Sequence, residues 1–186
     1  MVNLRRNDMK KFSLRSLPPS ASYLLGALIA VPLLIVLIVG LAIQSSRTTP
    51  SLPITDTILT KIDGTTGKLS DFNGQVRLLN FWASWCGTCR EEMPDLVILK
   101  NDYKGKSFSV VSINFGEDSA TATQFATSYG ANFPIFLDPG KHVASSYGVV
   151  TMPTSLLLDK NGKVVKTWVG QISPAEVKQE VNKLLQ

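Results

Sequence analysis

The chain has 186 residues, 44% of them hydrophobic and 18% charged, with 13 Gly, 10 Pro and 2 Cys. That is enough apolar material for a core and too few cysteines for a disulfide framework, which excludes the disordered, collagen-like and disulfide-scaffold classes. The net charge of +5 sits mostly at the start: residues 1–21 carry Arg5, Arg6, Lys10, Lys11 and Arg15 against Asp8 alone, which leaves +1 for the remainder. A basic excess confined to a leader gives no reason to expect a nucleic-acid partner.

No charged residue occurs between Ser16 and Ser46, and Tyr23 to Ile43 is almost entirely Leu, Ile, Val, Ala and Gly. At helical rise those positions reach about 30 Å, the thickness of a bilayer's hydrocarbon core. The pattern predicts a basic cytoplasmic leader over 1–21 and a transmembrane anchor over 22–43, with the rest of the chain outside the membrane. A cleaved signal peptide is the rival, with Gly40-Leu41-Ala42 as a small-residue site, but the apolar run exceeds a secretory one and follows a long leader. Pro32 and Gly26 are tolerated inside membrane helices. Residues 44–56, polar and with two prolines, read as a linker. Residues 57–186 are one domain by length.

Within that domain strand-like and helix-like windows alternate. Ile58–Ile62 reads as an opening strand followed by a turn, Val76–Trp82 as a short apolar strand, and Glu91–Tyr103 as a helix starting near Arg90. Phe108–Phe115 is the next strand, Ala120–Tyr129 a helix, Ile135–Leu137 a brief strand and Lys141–Tyr147 a brief helix. Thr154–Leu158 and Val164–Val169 flank Asn161-Gly162, a strong hairpin signal, and Ser173-Pro174-Ala175-Glu176 predicts a capping box opening a last helix. This order describes an α/β fold with a mixed central sheet flanked by helices.

One motif carries chemistry: Trp85-Cys86-Gly87-Thr88-Cys89, directly after a strand and before a helix. Cysteines three apart on a first helical turn have Cβ atoms about 5–6 Å apart, so small adjustments permit a reversible disulfide. Cys86, at the helix N-terminus, meets free N–H groups and the positive dipole end, which favour a thiolate. It is therefore the expected exposed nucleophile, and Cys89 the buried resolving thiol. An inert structural disulfide is the alternative. His142, the only histidine, has no acidic or cysteine partner in the pattern and reads as a surface residue. Trp82 is expected in the core, and Trp85 as a partly exposed platform or packed against the domain.

The run Leu79-Asn80-Phe81-Trp82-Ala83-Ser84-Trp85-Cys86-Gly87-Thr88-Cys89-Arg90-Glu91-Glu92-Met93-Pro94, with Gly67–Gly74 before it and Met152-Pro153-Thr154 after it, resembles the membrane-anchored thioredoxin-like reductases of the TlpA/ResA type. The resemblance runs from about Ile58 to the C-terminus. It implies a thioredoxin fold, an extracytoplasmic thiol–disulfide oxidoreductase reducing protein disulfides, apocytochrome c among them, and a membrane electron donor of the CcdA/DsbD type. It also implies that Pro153 is a cis-proline facing the cysteine pair, that Met152 presents backbone to a peptide substrate, and that no cofactor is needed beyond the Cys86–Cys89 disulfide.

Cytoplasmic thioredoxins have a buried Asp where this chain has Asn80, so a carboxylate for Cys89 has to come from elsewhere. Glu92, one turn after Cys89 on the same face, is the candidate and matches the family's acidic position; a solvated helix glutamate is the alternative. Glu91, pointing elsewhere, reads as a surface charge. Thr88 departs from the family's usual proline, and its N–H is expected within reach of the Cys86 sulfur, which would bear on the redox potential. Two other readings share these residues: a thiol peroxidase, disfavoured by Ala83-Ser84-Trp85 before Cys86, and a tethered metal or haem chaperone using the thiols as ligands.

Overall fold

β-branched and large apolar side chains dominate Val76–Trp82, and all seven residues are buried in the strand they form. A computed structural model describes residues 56–186. The expected leader at 1–21, the expected anchor at 22–43 and nearly all of the expected linker at 44–56 lie outside the described residues. Among the described residues no helix is long and apolar enough to cross a membrane.

In chain order the elements are β1 (Leu59–Thr60), β2 (Thr66–Gly67), a 3₁₀ turn (Leu69–Phe72), β3 (Val76–Trp82), α1 (Gly87–Asp102), β4 (Phe108–Phe115), α2 (Ser119–Ser128), β5 (Ile135–Asp138), α3 (His142–Ser146), β6 (Thr154–Leu158), β7 (Val164–Val169) and α4 (Pro174–Leu185). The central sheet has the order β5-β4-β3-β6-β7, with β3, β4 and β5 mutually parallel, β6 antiparallel to β3 and β7 antiparallel to β6. The expected mixed sheet is thus present.

Side chains alternate across β3, so it serves two cores. Val76, Leu78 and Trp82 pack with Met93, Leu96 and Leu99 of α1, Phe125 of α2, and Val177 and Val181 of α4. Leu79 and Phe81 face the other layer, with Leu69, Val143 and Ala144. Arg77 is buried on that second face; its guanidinium donates to the Leu69 carbonyl at 2.7 Å and to Asn73 Oδ1 at 3.2 Å. Trp82 is fully buried and stacks on Phe125 at a centroid distance of 4.8 Å, as expected of a core tryptophan.

Several boundaries differ from the sequence expectation. The opening strand shrinks to Leu59–Thr60 because Asp63 Oδ1 accepts from both the N–H and the hydroxyl of Thr65, closing a turn. Helix α1 starts at Gly87 rather than near Arg90, since Cys86 serves as N-cap with its sulfur accepting the Cys89 N–H. Pro94 therefore lies inside the helix, where it lacks the N–H that would bond the Arg90 carbonyl. The hairpin at Asn161-Gly162 has a three-residue loop: the Gly162 N–H donates to the Asp159 carbonyl at 3.0 Å, and Gly162 takes a φ of +82° that favours glycine. At α4, Pro174 opens the helix as expected, but Ser173 makes no side-chain cap bond and Glu176 instead pairs with Lys166 of β7 at 3.2 Å. The capping box does not form.

Candidate active site

Cys86 and Cys89 form a disulfide across the first turn of α1, with their Cα atoms 5.3 Å apart. The sulfur of Cys86 sits in the ring of orphan N–H groups at the helix start and accepts the Cys89 N–H at 3.2 Å. Cys86 is 7% exposed and Cys89 1%. The ranking agrees with expectation, yet Cys86 is less open than expected in this oxidised state. The expected donor from Thr88 is corrected: Thr88 is exposed, and the N–H reaching the Cys86 sulfur belongs to Cys89.

Beneath the pair lies a buried polar row. Sheet register places Ser112 of β4 and Ser155 of β6 on either side of Asn80 of β3, and all three are fully buried. Both hydrogens of Asn80 Nδ2 are used, toward Ser155 Oγ at 3.0 Å and Glu92 Oε2 at 3.3 Å, while Oδ1 accepts from the Ser112 hydroxyl at 3.3 Å. Glu92 Oε1 accepts the Ile172 N–H at 3.3 Å.

Glu92 is thus not a solvated helix residue. It is buried three positions after Cys89, whereas Glu91 is exposed. Burial pushes the Glu92 carboxyl from its ordinary 4.5 up to about 7; the bonds from Ile172 and Asn80 pull the other way, and the charge of Asp95 adds to the rise. Asn80→Ala leaves Glu92 Oε2 and two buried hydroxyls short of partners. The expected outcome is a loss of about 1–3 kcal/mol in urea unfolding and a Glu92 pKa above the wild-type value, read by carboxyl NMR titration.

The Met152–Pro153 peptide bond is cis, as the resemblance implied. Pro153 is buried, its carbonyl accepting the Gly170 N–H at 2.9 Å, and the Thr154 hydroxyl donates to the Thr151 carbonyl at 2.7 Å, closing the loop. Met152 packs against both core clusters, including the one that holds the cysteines. Trp85 is 64% exposed, so it is not packed into the domain. His142 is exposed. Sequence reasoning missed Val150, 87% exposed ahead of the cis-proline, and Val169, 70% exposed opposite Thr154. A valine closing a strand gives no signal that its side chain stays open to solvent. It equally missed Ser112 and Ser155, which sheet pairing brings to Asn80, and the Ile172 N–H, which the loop between β7 and α4 brings to Glu92.

The pattern of the Redoxin family matches residues 47–185. The thiol–disulfide oxidoreductase ResA of Geobacillus thermodenitrificans is 35% identical over 129 residues, covering 69% of this chain and 74% of that protein. The chain belongs to the ResA-type thiol–disulfide oxidoreductases. ResA of Bacillus subtilis is likewise 35% identical, over 65% of this chain and 69% of its own length. Among solved structures, the thiol:disulfide interchange protein DsbE of Chlorobium tepidum superposes with a TM-score of 0.67 at 37% identity, over 72% of this chain and 95% of that one. StoA of Bacillus subtilis gives 0.59 at 26% identity, over 68% and 98%. This ResA-type chain therefore has a thioredoxin-like fold and works as a protein-disulfide oxidoreductase.

Proposed function

We propose that this protein is a membrane-anchored reductase of protein disulfides whose catalytic domain lies outside the cell membrane. The observation that carries the reading is the Cys86–Cys89 pair at the start of α1 with the buried carboxyl of Glu92 one turn behind it. The basic leader and the uncharged run to Ser46 support the anchor and the orientation.

In the reduced protein the Cys86 thiolate attacks one sulfur of a substrate disulfide, and the substrate's other sulfur leaves as a thiolate. Cys89 then gives up its proton and attacks the Cys86 sulfur of the mixed disulfide, which releases the second substrate thiol and leaves the Cys86–Cys89 disulfide. Two electrons pass to the substrate. Glu92, with a pKa near neutrality, takes the Cys89 proton. Trp85 and the backbone beside Met152 and Pro153 receive the substrate segment. A membrane dithiol carrier of the CcdA/DsbD type returns the electrons, and apocytochrome c is a fitting substrate, since its haem-binding cysteines have to be reduced.

The test uses the reduced full chain in detergent micelles with insulin, hydrogen peroxide, zinc and haem as separate probes. Disulfide reduction on insulin is expected to dominate; peroxide consumption, or tight zinc or haem binding without insulin reduction, overturns the reading. A membrane-impermeant maleimide applied to reduced spheroplasts checks the location. Labelling of Cys86 before lysis is expected, and labelling only after lysis overturns the topology.

A further inference from the structure

Ser84, two residues before Cys86, is held at every polar group it has. Its N–H donates to Glu117 Oε2 at 2.9 Å and its hydroxyl to Glu117 Oε1 at 2.5 Å. Its carbonyl accepts from Arg90 Nε at 3.1 Å and Nη2 at 2.9 Å. Glu117 comes from a different part of the chain, the turn between β4 and α2, and Asn114 Nδ2 steadies its Oε2 at 2.7 Å. That turn is itself fixed: the Gly116 N–H donates to the Asp138 carbonyl at 3.1 Å, and Asp118 caps α2 through the Thr121 N–H at 2.8 Å. The Glu117 carboxylate thus takes three donors, none of them a cation, and two of the three belong to Ser84.

Trp85, the next residue in the chain, carries a large apolar side chain, 64% exposed at the rim of the disulfide. We propose that Glu117 is a positioning residue for exchange with protein substrates: by gripping Ser84 it fixes the backbone that presents Trp85 beside Cys86. The proposal rests on the reading of Trp85 as the docking platform. A platform already ordered before docking spares the partner the entropy of ordering it, so loss of the grip appears in substrate affinity and leaves the sulfur chemistry alone.

Glu117→Ala is expected to raise KM for insulin about tenfold, the equivalent of one newly immobilised long side chain, with kcat kept. Oxidised glutathione needs no platform. Its reaction with the reduced full chain, which yields two glutathione thiols and the Cys86–Cys89 disulfide, is expected at the wild-type rate. Glu117→Gln keeps the arrangement, its amide oxygen accepting from Ser84 and Asn114 and its amide hydrogen donating to the Ser84 oxygen, and restores KM. If Glu117→Ala fails to fold, Ser84→Ala removes one of the two grips and is expected to raise KM by a smaller factor.

Trp85→Ala separates the two ideas. An insulin KM unchanged in Trp85→Ala overturns the platform reading. A raised KM in Trp85→Ala with none in Glu117→Ala overturns the positioning role alone. A Glu117→Gln variant as impaired as Glu117→Ala, or a glutathione rate that falls with the insulin rate, shows that the carboxylate acts through its charge on the cysteines and overturns the proposal.

Discussion

A full chain carrying Cys89→Ala accumulates a covalent complex with insulin, whereas Cys86→Ala accumulates none and turns over no substrate. The asymmetry comes from position. Cys86 caps α1, so its sulfur meets the Cys89 N–H and the positive end of the helix, and a thiolate there is stabilised. Cys89, 1% exposed, is reached only by a sulfur already joined to Cys86. Without it the first exchange proceeds and the second does not, so the mixed disulfide persists. Non-reducing electrophoresis after quenching with acid reads the result directly. A complex trapped by Cys86→Ala and absent from Cys89→Ala would reverse the assignment of attacking and resolving sulfur.

Glu92→Gln has the next largest effect, and it depends on pH in both stability and rate. The folded carboxyl titrates at about 7 against an ordinary 4.5, so the folded state binds a proton more tightly than the unfolded chain. Its contribution is fully present below the ordinary value and is lost as pH rises through about 7. The wild type thus carries a burden at pH 8 that it lacks at pH 4, on the order of 3 kcal/mol for a shift of this size. Glutamine cannot ionise, so the stability of Glu92→Gln relative to wild type should climb by about that amount between pH 4 and pH 8. Guanidinium unfolding of the oxidised protein at the two pH values measures it. In exchange kinetics the variant should resolve mixed disulfides more slowly and lose the inflection near neutrality. A stability difference independent of pH, with superimposable rate profiles, would remove Glu92 from the proton path.

The elements that could be read from the sequence are those whose pattern reports a local cause. β3, β4, β6 and β7 were legible to the residue because their apolar runs are bounded by turn residues. The cysteine motif and its place between strand and helix were legible for the same reason. The start of α1 was legible from the cysteine motif, which puts Cys86 at the helix N-terminus, but not from the apolar periodicity, which begins only near Arg90 because the first turn carries no apolar stripe. Ser173 looked like a cap, but Lys166, on the neighbouring strand β7, draws off Glu176. The burial of Glu92 was only half legible. Its spacing from Cys89 gave the face, whereas Asn80 and the Ile172 N–H, which hold its two oxygens, are 12 and 80 residues away and are brought there by β3 and by the loop after β7. The grip of Glu117 on Ser84 spans 33 residues and left no trace in any local pattern.

The two-sided burial of β3 has a genetic consequence. Side chains along it alternate between the layer of α1 and α4 and the layer of α3, so its residues are assigned to a side by counting. One codon inserted or deleted between Val76 and Asn80 would send Asn80 to the α3 side, bring Leu79 or Phe81 under Glu92, and turn Trp82 out from beneath Phe125. Substitutions in that stretch bring graded losses. A single-codon change in its length takes the core and the redox site together, and no later substitution at one position restores either.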